Sequence, residues 1–177
     1  MPKRKTILYI AASLDGYIAK PDGSVDWLHD VEGDGGDNGY GAFYARIGTV
    51  VMGRSTYEEV LTLTDDFPYA GKPTYVLSRT PQPPSPHVQF TDEDVATLIP
   101  KLQQISEGDV WIVGGGKLVQ TILEKRLLDE MEIAIIPKIL GNGIPLFPVG
   151  TLPSDWTMVG TQTLGQIVSV RYQSKAN

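Results

Sequence analysis

The stretch VWIVGGGKLV, from Val110 to Val119, joins a short apolar run to three consecutive glycines and then to the first residues of a helical pattern. An apolar run of this length, bounded by turn residues, is typical of a strand that is buried on both faces. Glycines directly after such a strand allow a tight turn into a helix. This order of elements favours an α/β fold, in which ligands bind beyond the carboxyl ends of the strands.

Similar apolar runs occur on both sides of this stretch and alternate with helical patterns. The predicted strands are Ile7–Ala12, Thr49–Met52, Thr74–Leu77, Val110–Val113 and Glu132–Ile136. Two more, Met158–Leu164 and Ile167–Tyr172, are separated by Gly165 and Gln166, which suit a two-residue hairpin turn. We therefore expect a three-layer αβα sandwich with a mixed, mostly parallel sheet and an antiparallel edge at the C-terminal end.

The segments between the strands include helices and two loops. Phe43, Tyr44 and Ile47 follow a short helical spacing, and a longer amphipathic pattern runs from Val95 to Ile105. Pro100 lies inside the longer pattern, so that helix either starts late or is kinked. The segments EGDGGDNGYG (32–41) and TPQPPSPH (80–87) are rich in glycine or proline and are predicted to be surface loops.

Composition limits the function classes. The chain has 177 residues, with 15 basic and 21 acidic side chains and no cysteine, and we expect residues 1–177 to form one domain. A net charge of −6 argues against a nucleic-acid partner, which requires a positive surface. Without cysteine there are no disulfides, zinc–thiolate sites or cysteine nucleophiles, and no metal site is predicted. No apolar run approaches the ~20 residues of a membrane span, so we expect no membrane partner and a cytoplasmic location.

The first candidate ligand-binding segment follows the strand Thr49–Met52 and consists of Gly53, Arg54, Ser55 and Thr56. Ser55 with Glu58, and Thr56 with Glu59, fit the spacing of a capping box, so the sequence predicts that a helix begins here. A glycine turn, an arginine and a helix N-terminus at a strand end together suit an anion. The alternative is a capped helix whose arginine is solvated.

A second segment follows Leu77 and consists of Ser78, Arg79 and Thr80. A hydroxyl and a guanidinium at a strand end suit a phosphate monoester, because arginine binds phosphate oxygens with two N–H groups at once. The alternative is a polar turn.

The third segment follows Val113 and consists of Gly114, Gly115, Gly116 and Lys117, with Leu118 opening the next helix. Glycines let the backbone approach a ligand closely, and the helix N-terminus favours pyrophosphate. The spacing fits neither the P-loop nor the strict GxGxxG motif, and a tight turn remains the alternative. Two anion cradles and a monoester site together match NADPH, a dinucleotide with a separate 2′-phosphate.

Six segments, in chain order, match a known superfamily: IAASLDGYIA (10–19), DWL (26–28), VMGRSTYE (51–58), VLSR (76–79), WIVGGG (111–116) and GNGIPLFP (141–148). On these segments the chain resembles the dihydrofolate reductase superfamily. It is most similar to the branch containing the reductase domain of the bifunctional riboflavin-biosynthesis deaminase-reductase. The resemblance covers nearly the whole chain and implies a dihydrofolate reductase-like fold.

The resemblance also implies binding roles for individual residues. The nicotinamide pocket would be lined by Ala11, Ala12 and Ile18. Phosphates and the adenosine ribose would be held by Gly53, Arg54 and Thr56, and the adenine and 2′-phosphate by Leu77, Ser78 and Arg79. The pyrophosphate would be held by Gly115, Gly116, Lys117 and Leu118. The segment from Asp15 to Trp27 would be a mobile loop that closes over the nicotinamide.

At the catalytic acid the sequence departs from the pattern of the folate-reducing members. Folate-reducing members carry a carboxylate on the helix that follows the tryptophan. The candidates here are Asp30 and Glu32, but the glycines that begin at Gly33 argue against a helix, and a surface carboxylate is the alternative for both.

The function implied by the resemblance is an NADPH-dependent reductase that transfers hydride to a pyrimidine- or pterin-related small molecule. The alternatives are a true dihydrofolate reductase and a nucleotide-binding protein without turnover. The segment Ile133–Leu140 is strongly apolar and is expected near the sheet edge, where riboflavin-branch reductases associate. We therefore expect a homodimer.

Overall fold

The computed structural model describes residues 3–175, and the element bounds follow from it. These residues form ten strands: β1 (Thr6–Ser13), β2 (Tyr17–Ala19), β3 (Ile47–Gly53), β4 (Thr74–Leu77), β5 (Gln89–Thr91), β6 (Asp109–Gly114), β7 (Glu130–Ile136), β8 (Ile144–Pro145), β9 (Trp156–Leu164) and β10 (Ile167–Ser174). They also form four α-helices: α1 (Tyr40–Ala45), α2 (Arg54–Leu63), α3 (Val95–Ile105) and α4 (Gly116–Glu124).

In the described part of the chain, eight strands form one sheet in the order β5-β4-β3-β6-β1-β7-β10-β9. The pairings from β5 to β7 are all parallel, whereas β10 pairs antiparallel with both β7 and β9. The other two strands, β2 and β8, form a small antiparallel sheet of their own. The mixed sheet with an antiparallel C-terminal edge confirms the predicted topology.

Helices cover the large sheet on both faces, as expected for a three-layer sandwich. One apolar core joins α3 and α4 to side chains such as Leu8, Val110 and Ile112. The other joins α1 and α2 to side chains such as Ile7, Val50 and Trp111. Because neighbouring residues of a strand point to opposite faces, these two sets alternate along β1 and β6. We call the sheet face beneath α1 and α2 the α1 face.

The predicted strands are confirmed, with ends that differ by one or two residues. Helix α3 begins at Val95, after Asp94, whose carboxylate accepts a hydrogen bond from the Ala96 N–H at 2.7 Å. The helix therefore does not start late, and Pro100 lies within it. The hairpin turn is also as predicted, with Gly165 at a φ of +64° between β9 and β10.

Several local predictions were wrong. Helix α1 ends at Ala45, and Ile47 already belongs to β3, whereas the predicted loop 32–41 ends in the first turn of that helix. Helix α2 begins where predicted, but Gly53 is its N-cap and no side chain caps it. Ser55 and Thr56 therefore lie inside the first turn, so neither capping box forms. The short strands β2, β5 and β8 carry too few residues to show a pattern.

The position of the apolar segment Ile133–Leu140 also differs from the prediction. Its strand, β7, lies between β1 and β10, so it is not at an edge of the sheet; the two edge strands are β5 and β9. The apolar character of β7 reflects its position between two neighbouring strands, with Met131 and Ile136 buried and the residues between them half-buried. None of the helices formed by residues 3–175 has the length and apolar character needed to cross a membrane.

Candidate functional site

Five of the six parallel strands (β1, β3, β4, β6 and β7) end at the edge of the large sheet along which the predicted binding residues lie. The last residues of these strands are Ser13, Gly53, Leu77, Gly114 and Ile136. The register pairs Gly53 with Leu77 and Met52 with Gly114, so the three candidate segments are neighbours in space. Their convergence follows from parallel pairing, which places all carboxyl ends on one side.

Two helix N-termini meet at the centre of this edge. Helix α2 starts after Gly53 and α4 starts after Gly115. A Cβ built on Gly115 would stand 3.5 Å from Thr56 Oγ1, and one built on Gly53 would stand 4.0 Å from the Gly114 carbonyl oxygen. The first N–H groups of both helices lack intrahelical partners. Together they form a cradle suited to a pyrophosphate, and a side chain at Gly115 would project into it.

The three consecutive glycines have different structural reasons. Gly114 has a φ of +140°, a conformation that other residues rarely adopt, and the Gly114–Gly115 peptide is cis. Gly116 is buried, and a Cβ there would stand 2.5 Å from the Pro145 carbonyl oxygen. Gly115 has an ordinary extended backbone with only Thr56 nearby. The fold therefore requires Gly114 and Gly116, whereas the open space at Gly115 suits a ligand.

The other side chains at the two helix N-termini that form the cradle are either exposed or packed against the cores. Arg54, Ser55 and Lys117 are exposed, and Arg54 Nε lies 3.3 Å from Glu58 Oε1. Val113 and Leu118 are half-buried and pack against the two cores. Anion binding at the cradle would therefore use the backbone, with Lys117 as an exposed cation beside it.

At the end of β4, Arg79 is the available anion-binding group. Its side chain is exposed, and no ion pair among residues 3–175 includes it. The Ser78 hydroxyl donates to the Thr80 carbonyl at 2.7 Å, so its proton is already used. Leu77 is half-buried beside them. A phosphate monoester here would be held chiefly by the guanidinium.

The predicted nicotinamide residues lie at the end of β1 and on β2. Ala12 and Ile18 are buried in the core beneath α3 and α4, together with Leu146. Ala11 is half-buried on the opposite, α1 face of the sheet. The Leu146 N–H donates to the Gly16 carbonyl at 2.9 Å, which ties the segment after β1 to β8.

The predicted lid, from Asp15 to Trp27, approaches α2 at one turn and is held by hydrogen bonds at its start. The lid has a turn at Lys20–Ser24. A Cβ built on Gly23 in this turn would stand 3.8 Å from Glu59 Oε2 on α2. At its other end Asp15 accepts a hydrogen bond from Ser13 and two from the backbone N–H groups of Leu140 and Gly141. These hydrogen bonds, led by that from Ser13, lower the pKa of Asp15.

The two predicted catalytic acids are on the surface. Asp30 pairs with Lys138, whose ammonium also donates to the Trp27 carbonyl at 2.8 Å. The hydrogen bond and charge of Lys138 lower the pKa of Asp30. The Glu32 side chain is exposed. The backbone carbonyl of Glu32, not its carboxylate, accepts a hydrogen bond from the Gln166 N–H at 2.8 Å. Neither side chain is a buried acid.

The segment after Glu32 is held together by its own side chains. Asp34 accepts from the Gly36 N–H at 2.8 Å, and Asp37 accepts from Gly39 and Gly41 at 3.0 and 2.8 Å. Such local hydrogen bonds compete with helix formation, which explains why no helix forms between Glu32 and Tyr40.

One acidic residue near the site was missed by sequence reasoning. Glu132 lies in β7, on the same face as Ala134, which pairs with Ala11 of β1. It is half-buried and accepts a hydrogen bond from the buried Ser169 hydroxyl at 2.9 Å. The sequence does show a carboxylate at the start of the apolar run EIAII (132–136). Hydrophobic periodicity, however, identifies this residue only as the first residue of a strand.

Comparison with known proteins identifies relatives over nearly the full length. The family model described as the RibD C-terminal domain matches residues 4–170. The "Uncharacterized protein YwjB" of Bacillus subtilis (strain 168) is 46% identical over 171 residues, which cover 96% of this chain and 98% of that protein.

Solved structures agree with these sequence matches. A putative riboflavin biosynthesis protein from Shewanella sp. PV-4 has a TM-score of 0.87 and 32% identity, covering 97% of this chain and 99% of that one. The dihydrofolate reductase of Enterococcus faecalis, complexed with NADP(H) and RAB-propyl, has a TM-score of 0.70 at 20% identity, with 97% of each chain covered. The latter likeness establishes a dihydrofolate reductase-like fold.

Proposed function

The chain belongs to the RibD C-terminal domain family, and from this premise we propose that it is an NADPH-dependent reductase of a pyrimidine-related small molecule. The observation that carries the proposal is the pair of glycine-led helix N-termini, α2 and α4, side by side at the carboxyl edge of the sheet. The similar fold of a dihydrofolate reductase complexed with NADP(H) supports the choice of cofactor.

The residues at the site fit a dinucleotide phosphate. The open space at Gly115 and the N–H groups of α4 would hold the pyrophosphate, with the first turn of α2 opposite. Arg79 would pair with the 2′-phosphate, and Ala11 would contact the nicotinamide. NADPH, when bound, supplies the hydride. The chain orients the two reactants and, through the segment from Asp15 to Trp27, excludes water from them.

Two alternatives are separated by one experiment. Oxidation of NADPH, followed by its nicotinamide absorbance, is measured with 5-amino-6-(5-phosphoribosylamino)uracil and, in parallel, with dihydrofolate. Family membership predicts faster turnover of the aminouracil. Faster turnover of dihydrofolate would favour a true dihydrofolate reductase, although the exposed Glu32 and the paired Asp30 argue against the usual acid. NADPH binding without oxidation by either compound would favour a non-catalytic nucleotide-binding protein.

Replacing Arg79 with alanine is expected to abolish most of the preference for NADPH over NADH. A hydrogen bond to a charged group contributes about 1.5–3 kcal/mol, so the NADPH affinity should fall roughly tenfold or more while NADH affinity stays unchanged. Calorimetric titration of both nucleotides measures the effect. Lys125→Ala, which removes an exposed cation near the far end of α4, is the control. Unchanged NADPH affinity in Arg79→Ala would refute the assignment.

We further propose a homodimer through β9 rather than through β7. Strand β9 is one of the two edge strands of the large sheet, and Met158 and Val159 on it are 57% and 39% exposed. Nearby Phe147 and Leu152 are 43% and 58% exposed. An edge strand with apolar neighbours is stabilised by pairing with a second copy.

Light scattering at micromolar concentration is therefore expected to give twice the chain mass. Met158→Lys should give the monomer mass, because a charged residue on an edge strand opposes strand pairing. A monomeric parent protein would contradict the proposal. The control is Leu63→Lys, at the exposed end of α2 and away from β9, which should leave the dimer mass unchanged.

A further inference from the structure

The centre of the large sheet has partly exposed side chains on its α1 face. On this face Ala11 pairs with Ala134, and one pleat earlier Tyr9 pairs with Glu132. All four side chains are half-buried, although β1 and β7 each lie between two other strands. Central strands that are covered by helices are normally buried on both faces. The helices therefore leave this part of the α1 face partly open, and we call this opening the cleft, with these four residues as its floor.

Two aromatic groups bound this cleft. The Tyr9 ring stacks on Phe43 of α1, with centroids 3.9 Å apart and an interplanar angle of 12°. On the other side, the buried Trp27 packs in a cluster that includes Ala11 and Ala134. The small alanine side chains leave room for a flat ring above them, next to the place proposed for the nicotinamide.

Glu132 has an unusual position for a structural carboxylate. None of the ion pairs among residues 3–175 includes it, and Arg171, its register partner on β10, instead lies 3.9 Å from Glu130. Its hydrogen bond comes from Ser169, which is 6% exposed and fixes Oε1 at 2.9 Å. A half-buried carboxylate with one hydrogen bond and no cation has acceptor positions left for the hydrogen-bond donors of a ligand.

Tyr9 complements Glu132 with a donor. Burial, followed by the charges of Glu132 and Asp37, raises the pKa of the Tyr9 phenol. The phenol therefore stays protonated and retains an O–H to donate. The floor of the cleft thus presents an acceptor beside a donor. This pattern matches a ring edge on which an N–H lies next to a carbonyl, as in a uracil or an aminopyrimidinone.

We propose that Glu132 recognises the N–H edge of the substrate ring, with Tyr9 donating to the adjacent carbonyl and Ser169 positioning the carboxylate. This inference rests on the proposed function and names the residue that selects the substrate class. Unlike Asp30 and Glu32, Glu132 lies on a central strand, where its backbone is fixed by neighbours on both sides. Precise orientation of a ligand ring requires such a rigid support.

The test uses 5,6-diaminouracil as a probe, titrated calorimetrically into the NADPH-loaded protein. Its analogue with both ring nitrogens methylated lacks the ring N–H donors and keeps the two exocyclic amino groups. The wild-type protein is expected to bind diaminouracil at least about tenfold more tightly than the analogue, as one hydrogen bond to a charged group would give. Glu132→Gln should lose this discrimination. Glu124→Gln, an exposed acid at the end of α4, is the control and should retain it.

Ser169 provides a second measurement that separates positioning from folding. Ser169→Ala is expected to weaken diaminouracil binding about threefold, and Ser169→Thr, which keeps a hydroxyl on a strand, should restore it. Circular dichroism checks that each variant is folded. Undiminished discrimination in Glu132→Gln, or its absence in the wild-type protein, would overturn the inference. NADPH titration of the wild-type protein alone reports separately on the proposed function, which fails if NADPH does not bind.

Discussion

Gly115→Val is expected to weaken NADPH binding at least about a hundredfold, because it would block two or more charge-assisted hydrogen bonds of about 1.5–3 kcal/mol each. The valine side chain would stand between the first turn of α4 and Thr56 Oγ1, where the pyrophosphate is proposed to bind. The backbone at Gly115 has a φ of −87° and a ψ of −165°, which valine adopts readily. The fold should therefore be retained.

Calorimetric titration with NADPH and far-ultraviolet circular dichroism together measure the two parts of this expectation. The matched control is Gly71→Val, because Gly71 also has no close neighbours and lies away from the carboxyl edge of the sheet. Normal NADPH affinity in Gly115→Val would mean that this segment is only a turn. Loss of the circular dichroism signal would mean that Gly115 has a structural role that its open surroundings do not indicate.

Trp111→Ala is expected to lower the free energy of unfolding by about 3–5 kcal/mol, the usual range for removing a buried tryptophan. Trp111 is 4% exposed on β6, with the rings of Phe43 and Tyr69 at centroid distances of 5.2 and 5.3 Å. Its indole N–H donates to the Tyr9 carbonyl at 3.2 Å. The substitution would leave a cavity in the α1-face core and remove one hydrogen bond.

Urea unfolding followed by circular dichroism measures this change. Trp156→Ala is the matched control, since Trp156 is half-buried at the start of β9 and its indole N–H donates to Ser154 near the surface. We expect its effect to be less than half as large. Equal destabilisation by the two substitutions would show that the aromatic cluster around Trp111 is not a principal source of stability.

The difference between the Asp30, Glu32 and Glu132 carboxylates shows the limit of spacing arguments. Asp30 and Glu32 were selected by their distance along the chain from Trp27, which matches folate-reducing relatives only if a helix follows. The Asx-type hydrogen bonds of Asp34 and Asp37 prevent that helix. Tyr9 and Glu132 are far apart in the sequence, and only the pairing of β1 with β7 brings them together.

The sequence by itself determined the types and order of the main elements, because hydrophobic periodicity and the glycines of turns are signals that extend over only a few residues. The strand Val110–Val113, the glycines after it and the hairpin at Gly165 are all local signals that long-range packing did not override. The convergence of the three candidate segments also followed from the sequence, since parallel strands place their carboxyl ends on one edge.

Only the tertiary structure decided which strands are neighbours and which residues share the site. It placed β7 inside the sheet and β9 at its edge, because strand order depends on the packing of side chains far apart in sequence. It also showed that the three glycines have different roles. Gly114 is required by its positive φ and Gly116 by its close contact with Pro145, whereas Gly115 has open space around it. It also placed Glu132 beside Tyr9 and Ser169, through pairings of three strands whose register no local pattern encodes.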